Sequence, residues 1–591
     1  MAAAWLPPYC RDDKLTARFD KAGPGPGGEW EYYADENGTQ LLTKAEIVHD
    51  LCSGDFDSRV PKRGWCQHGF GVSFPKLHSN ILTETVIDYL HLSLFPFSTQ
   101  VTSIGQHGEG GARLDHSSRA KFTGWQLSLP SESNAYTVEL FRIPMQDGVE
   151  LVADLSQPLG AKPQGTILVR SPYGIVFPLF LSSACIYPTR GYQVLINACR
   201  GTSASGEQFR PGCDEAVDGL AVVSWMRDQP WYIGSFATLG GSYLSYRQFT
   251  ILSEPPPDMK TAILTAGPHD WVDLIWGTGA LNSDIVFWGG AISNAQRGSW
   301  IPMPICFLLQ KNKFNQAMSA TSLIKGVDDF IPGGLPPWLP GHISTPDLAD
   351  PKWENMEQNG ALEKVKIPVA IFTGWQDFAL SQWREDSGWP PPTRHFELFF
   401  GPSGNLSREE TPIEAPDSVF TFDLTHPTPT IGVARISNMD AGTDDDIILA
   451  SRSDVLSFMG EPLMEDLELS GRPTVILHHS SSLPYIDIFV RLNEVDPQDR
   501  SHNISESYVR FERSKDEAPT EFRLVDCAHR FRSGSKIRVL VAGGSHPHYI
   551  QNTGTEDNSI TAFELRAVEH TIHHNISPKS RLILPVPTSS D

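Results

Sequence analysis

The sequence predicts an α/β fold: a doubly wound sheet of mainly parallel strands, split by an inserted cap and followed by an all-β domain. Three observations lead there. Short apolar β-type runs alternate with helical periodicity between about residues 136 and 266, the mark of strand–helix–strand units. A Trp-rich, Pro-punctuated stretch over residues 267–366 then breaks that rhythm. Beyond about residue 416 the helical period gives way to strands at turn-separated intervals, the pattern of a sandwich or jelly roll.

Taken in order, residues 1–130 read as an irregular N-terminal extension with breaker clusters at Gly23–Gly28 and Gly105–Gly111 and one amphipathic helix, Ile81–Phe95. Val138–Ile143 and Val149–Asp154 alternate around Gln146-Asp147-Gly148, a hairpin signal that opens the first part of the α/β domain, residues 131–266. Thr166–Arg170 and Gln193–Asn197 are apolar runs of buried parallel-strand type. A helix follows, with Asp214 as its expected cap, Val217, Leu220, Ala221, Ser224 and Trp225 as its apolar stripe, and Pro230 after its end. Phe236–Leu239 and Thr261–Thr265 are the next strands. After the cap the sheet is expected to resume over residues 367–415, with strands Val369–Thr373 and His395–Phe400. Residues 416–591 form the β-domain, with strands such as Thr474–His478, Ile486–Val490, Lys536–Val541 and Arg581–Pro585.

Bulk properties narrow the function. At 591 residues the chain is too long for one compact core. The formal charge of −23 repels phosphate backbones and anionic membrane faces, and no Lys/Arg cluster offsets it, so neither nucleic acid nor a membrane is expected as a partner. Eight scattered cysteines with no Cys-x-x-Cys pair argue against a zinc site or a disulfide framework. There is no leader-type start and no run of eighteen uncharged apolar residues, so a cytoplasmic protein is expected. A homo-oligomer is compatible with all of this.

Gly240-Gly241-Ser242-Tyr243 lies between a predicted strand and a predicted helix. In that context a Gly-x-Ser string reads as a nucleophile elbow, whose strained turn lifts the serine Oγ to the top of the sheet. The Tyr243 N–H then points into the site as an oxyanion donor. The plainer alternative is a Gly-rich turn with a surface serine.

Further motifs surround it: Pro144–Gly148 before Val149-Glu-Leu, Arg170-Ser-Pro-Tyr173, Arg200-Gly201, Gly206-Glu207, Trp225, Phe372-Thr-Gly374-Trp-x-Asp377 and Gly401-Pro402. Leu469-Ser-Gly471, Gly534–Arg538 and Asn552-Thr-Gly554 continue the series into the β-domain. Together, from about residue 136 to the C-terminus, they resemble the cocaine esterase and X-prolyl dipeptidyl peptidase family. The resemblance implies an α/β-hydrolase domain, a helical cap inserted after the sixth strand, and a C-terminal jelly roll. It also implies Ser242 as nucleophile, Asp377 as the acid of a triad, and Tyr173 as the hydroxyl that completes the oxyanion hole. No metal or organic cofactor is implied.

The chain departs from that family at the third triad position. The family's Gly-Pro-Trp-x-His is here Gly401-Pro402-Ser403-Gly404-Asn405, so Asn405 stands where the histidine is expected. An amide has no nitrogen that titrates near neutral pH and cannot take the Ser242 proton. Three explanations compete. His269, at the start of the cap, replaces the base, against the alternative of a cap-hinge histidine paired with Asp270. Or the site keeps its oxyanion hole and runs non-hydrolytic chemistry, such as cyclisation, isomerisation, condensation or lyase cleavage. Or the protein is an inactive binding module. The leading expectation is an enzyme acting on the carbonyl of a small hydrophobic ester, amide, lactone or polyketide-like compound, with Trp271, Phe287 and Trp288 as walls of the substrate pocket. His107–Gly111, the His570/His573/His574 group and His546/His548 read as loop or surface positions.

Overall fold

The computed structural model describes residues 134–173, 186–296, 312–372, 389–432, 445–512 and 519–588, apart from a few single positions and residues 561–564, together with two short strands nearer the N-terminus. Those two, β1 (Lys21–Pro24) and β2 (Trp30–Tyr33), pair antiparallel with Lys21 opposite Tyr33, so the Gly/Pro cluster read as a breaker begins inside a strand pair. The helix expected at Ile81–Phe95 lies outside the described residues.

From residue 134 a seven-stranded sheet begins with the hairpin β3 (Tyr136–Pro144) and β4 (Glu150–Pro158) around the Asp147-Gly148 turn. β5 (Thr166–Ser171), β6 (Gln193–Ala198), β7 (Phe236–Gly241), β8 (Met259–Thr265) and β9 (Val369–Phe372) complete it in the order β3-β4-β6-β5-β7-β8-β9. Pairing is antiparallel from β3 to β6 and parallel from β6 to β9. β5 and β6 are buried at every position, which is why they read as unbroken apolar runs. Helix α1 (Glu215–Arg227) packs against α2 (Tyr243–Leu252).

The face that α1 buries differs from the predicted stripe. Val217 is 69% exposed, and the buried positions are Glu215, Asp218, Gly219, Val222, Val223 and Met226. Two carboxylates lie on the inward side because buried arginines meet them there, and apolar periodicity is blind to that. Asp214 makes no side-chain cap; its carboxylate is held by Arg210 at 2.6 Å.

Between β8 and β9 the chain forms the cap helices α3 (Trp271–Trp276), α4 (Asp284–Gln296), α5 (Leu323–Phe330) and α6 (Leu339–Ile343). Their aromatic and aliphatic residues build one core that also takes in Tyr243, Tyr246 and Phe209. The cap tryptophans therefore roof the strand end that carries Ser242.

The strand predicted at His395–Phe400 is present as β10 (Thr393–Gly401), but it does not join the seven-stranded sheet. It pairs antiparallel with β23 (Arg581–Pro587), from Thr393↔Pro587 to Phe399↔Arg581, inside a nine-stranded sheet of the β-domain. Leu398 and Phe400 are buried in that domain's core, which fixes the choice. The segment expected as the second part of the α/β domain thus divides between two sheets. Further three-stranded and two-stranded sheets complete the β-domain.

Several histidines expected at the surface are buried. His570 is stacked on Phe420 and hydrogen-bonded to His479 at 3.0 Å; His574 meets the Ser418 hydroxyl at 2.8 Å; His548 packs at a tilt against Tyr549. Neighbouring side chains rather than solvent surround these rings. Among the described residues no helix is long and apolar enough to cross a membrane.

Candidate active site

The parallel register of β5 and β7 builds the site. Thr166 lies level with Phe236, and continuing that pairing brings Ser171 and Gly241 to the same carboxyl edge. Tyr173 leaves one strand end and Ser242 the other. Ser242 has φ 58° and ψ −130°, outside the basins an L-residue prefers, at a strain of about 1–3 kcal/mol. The elbow is clamped: the Ser242 N–H donates to the Thr265 carbonyl at 2.9 Å, and the Ser245 hydroxyl, 2.8 Å from the Gly240 carbonyl, accepts the Thr265 N–H at 2.9 Å. A side chain at Gly240 would meet Leu244 Cβ at 2.4 Å, and one at Gly267 would meet the Ser242 carbonyl at 2.4 Å, so the turn admits only glycine there.

Above the elbow the Tyr173 hydroxyl lies 3.5 Å from Ser242 Oγ and receives the Trp288 indole N–H at 3.1 Å. The Tyr243 backbone N–H also faces the Tyr173 oxygen. The two expected oxyanion donors therefore converge at one point beside the serine. Burial raises the Tyr173 pKa above its ordinary value, which keeps the phenol protonated and able to donate.

Below, the Tyr243 side chain ties the elbow to a buried charge cluster. Its hydroxyl donates to Glu215 at 2.6 Å and accepts the Gly212 N–H at 2.8 Å. Glu215 is paired with Arg247 at 2.6 Å and lies 3.8 Å from Arg170, whose guanidinium also donates to the Glu215 and Arg247 carbonyls. Burial, with Arg247 alongside, pulls the Arg170 pKa down to about 9.

Ser242, Tyr243, Pro268, Trp271, Leu274, Asp284, Ile285 and Trp288 line a small cavity of about 20 Å³. Of the three expected wall residues, Trp271 and Trp288 line this cavity with the serine. Phe287 does not: it packs edge-on against Phe314 at 5.5 Å inside the cap. Asp284 was missed. Its signal is Asn282-Ser283-Asp284 ahead of an apolar helix, a helix start whose place in the site only the tertiary fold reveals. A larger cavity of about 150 Å³, lined by Asp270, Val272, Asp273, Leu348, Trp353 and Glu357, does not include the serine.

No hydrogen bond joins His269 or Asn405 to Ser242 among the described residues. His269 is exposed, its ring edge-on to Phe249 at 6.3 Å, and no hydrogen bond joins it to the serine. One carboxylate oxygen of Asp270 caps α3, accepting the Val272 and Asp273 N–H groups at 2.8 and 2.9 Å. Asn405 is exposed at the start of β11 (Asn405–Ser407), with its backbone committed to the β-domain sheet beside Gly401 and Met459. Asp377 lies outside the described residues. Among those residues the one side-chain hydrogen-bond partner of Ser242 Oγ is Tyr173, and no group of three or more His, Cys, Asp and Glu is arranged to hold a metal ion.

Comparison with known proteins matches residues 147–403 to the X-Pro dipeptidyl-peptidase (S15 family) and residues 348–583 to the X-Pro dipeptidyl-peptidase C-terminal non-catalytic domain. A cocaine esterase from Rhodococcus sp. is 23% identical over 562 residues, covering 75% of this chain and 97% of that enzyme. An aminopeptidase structure from a Thaumarchaeota archaeon aligns with a TM-score of 0.57 at 19% identity, over 78% of this chain and 98% of the other. An α-amino acid ester hydrolase aligns at 0.54 and 18%, over 83% and 100%. A CocE/NonD family hydrolase from Staphylococcus aureus aligns at 0.54 and 15%, over 77% and 94%. These likenesses share the α/β-hydrolase-like fold with a C-terminal β-domain, and the matched segments together run from residue 147 to residue 583. The chain belongs to the cocaine esterase and X-Pro dipeptidyl-peptidase family and is a serine-hydrolase-fold enzyme.

Proposed function

We propose that this enzyme cleaves an ester or amide bond of a small hydrophobic substrate by attack of Ser242 Oγ on the carbonyl carbon, the serine proton passing to the departing alcohol or amine as that bond breaks and water then releasing the acyl group. The observation that carries the reading is the strained Ser242 elbow with the Tyr173 hydroxyl and the Tyr243 N–H converging beside its Oγ. As the carbonyl oxygen gains charge, those two donors stabilise it. Trp271, Ile285 and Trp288 suit an apolar acyl group, and Asp284 suits a hydrogen-bond donor or a positively charged nitrogen on the same substrate. The cavity of about 20 Å³ beside the serine has room for little more than a water molecule. The test is steady-state hydrolysis of short-chain p-nitrophenyl esters. Ser242→Ala is expected to lower kcat by about 1,000-fold or more, and Tyr173→Phe by about 100-fold. Full activity in Ser242→Ala would refute covalent acyl chemistry.

A second reading has its own observation: no imidazole is hydrogen-bonded to Ser242 among the described residues. On that reading the same two donors polarise a carbonyl for a cyclisation, isomerisation, condensation or lyase step, and serine is not acylated. Turnover of the natural substrate that survives Ser242→Ala and collapses in Tyr173→Phe supports it.

A further inference from the structure

A tyrosine hydroxyl carries one proton and two lone pairs. Around Tyr173 the Trp288 N–H occupies one lone pair at 3.1 Å and the Tyr243 N–H is directed at the same oxygen. An indole N–H only donates, so the Trp288 contact has a fixed sense. With that lone pair taken, the Tyr173 O–H turns away from Trp288, and Ser242 Oγ lies 3.5 Å from the same oxygen. Trp288 itself is held by aromatic contacts on several sides: Trp271 at 5.0 Å, Tyr243 at 5.1 Å, Trp338 at 5.5 Å and Phe209 at 6.0 Å. It stands on α4, an element of the cap, whereas Tyr173 and Ser242 belong to the sheet.

We propose that Trp288 is a positioning residue: its indole N–H fixes the direction in which Tyr173 donates, so that the oxyanion hole is competent only when the cap helix is seated. The proposal rests on the hydrolytic reading for its kinetic consequence but not for the hydrogen bond itself. Chained hydrogen bonds polarise one another, so the N–H also strengthens the Tyr173 donor when charge develops on the substrate oxygen. Apolar cap residues alone give a roof; this contact links the roof to the chemistry.

Trp288→Phe keeps an aromatic ring and deletes the N–H. The expected result on a p-nitrophenyl ester is a fall in kcat of about 3- to 10-fold with KM within about twofold. In a Tyr173→Phe background the same substitution is expected to change kcat by less than about twofold, because its route of action is gone. Equal losses in both backgrounds overturn the proposal. An independent readout serves even if the wild type turns over no ester. In protein labelled with ¹⁵N-tryptophan, the indole resonance that vanishes in Trp288→Phe is expected to move upfield in Tyr173→Phe. An unmoved resonance overturns the proposal, whereas a moved resonance with no esterase activity in the wild type leaves it standing and removes the hydrolytic reading instead.

Discussion

Glu215→Gln changes one charge beneath the elbow while keeping its shape. The native carboxylate is paired with Arg247 at 2.6 Å, stands 3.8 Å from Arg170 and accepts the Tyr243 hydroxyl at 2.6 Å. The arginine side chains are 0% and 3% exposed, so water offers them nothing. The neighbouring carboxylate, Asp218, is already taken by Arg200 in a two-point contact at 3.1 and 2.7 Å. A neutral amide therefore leaves two buried guanidinium groups without their counter-charge. Breaking one side of a buried ion pair typically costs about 3–5 kcal/mol, and the Tyr243 bond is part of that figure because it shares the same carboxylate. For a unit of this size each kcal/mol lowers the melting temperature by about 2–4 °C, which predicts a drop of about 10 °C in scanning calorimetry. A shift under about 2 °C would refute the reasoning, since it would mean that the arginines do not depend on Glu215.

Two further outcomes concern pH. His342 is wedged edge-on between Trp338 and Trp353; burial, helped by Lys352, lowers its pKa to about 4. The unfolded chain then binds the extra proton first, so stability is full above about pH 6.5 and falls by up to about 3 kcal/mol as pH drops toward 4. In His342→Gln the urea midpoints at pH 7 and pH 4.5 should lie closer together than in the wild type; an unchanged gap contradicts this. Asp154 is the opposite case: burial raises its pKa to about 6, and its charged form is penalised above that pH. Asp154→Asn is expected to gain about 1–3 kcal/mol at pH 7 and nothing below about pH 4. A gain that persists at low pH contradicts the assignment.

What the sequence made legible is local. The elbow could be read because Gly240 and Gly241 stand between a β-type run and a helix start, and the structure supplies the close contact that requires glycine at position 240. β5 and β6 were readable because strands buried on both faces are apolar throughout. Where partners come from elsewhere in the chain, reading failed. Apolar periodicity puts Val217 on the inner face of α1, and only Arg170, Arg200 and Arg247 bring Glu215 and Asp218 there instead. β10 has apolar alternation that suits either sheet, and its pairing with β23, almost 200 residues on, decides the matter. His570 and His574 looked solvated until His479, Phe420 and Ser418 closed around them. Trp288 was legible as a wall, but not as a hydrogen-bond donor to Tyr173, which lies 115 residues away.

The central claim is that Ser242 is the nucleophile and faces a built oxyanion hole. Its most direct test is reaction of the folded protein with a fluorophosphonate, followed by intact mass and peptide mapping. The account predicts a single adduct on the peptide that contains Ser242, absent in Ser242→Ala and formed more slowly in Tyr173→Phe. A protein that stays unmodified, or that is labelled equally well after Ser242→Ala, contradicts it.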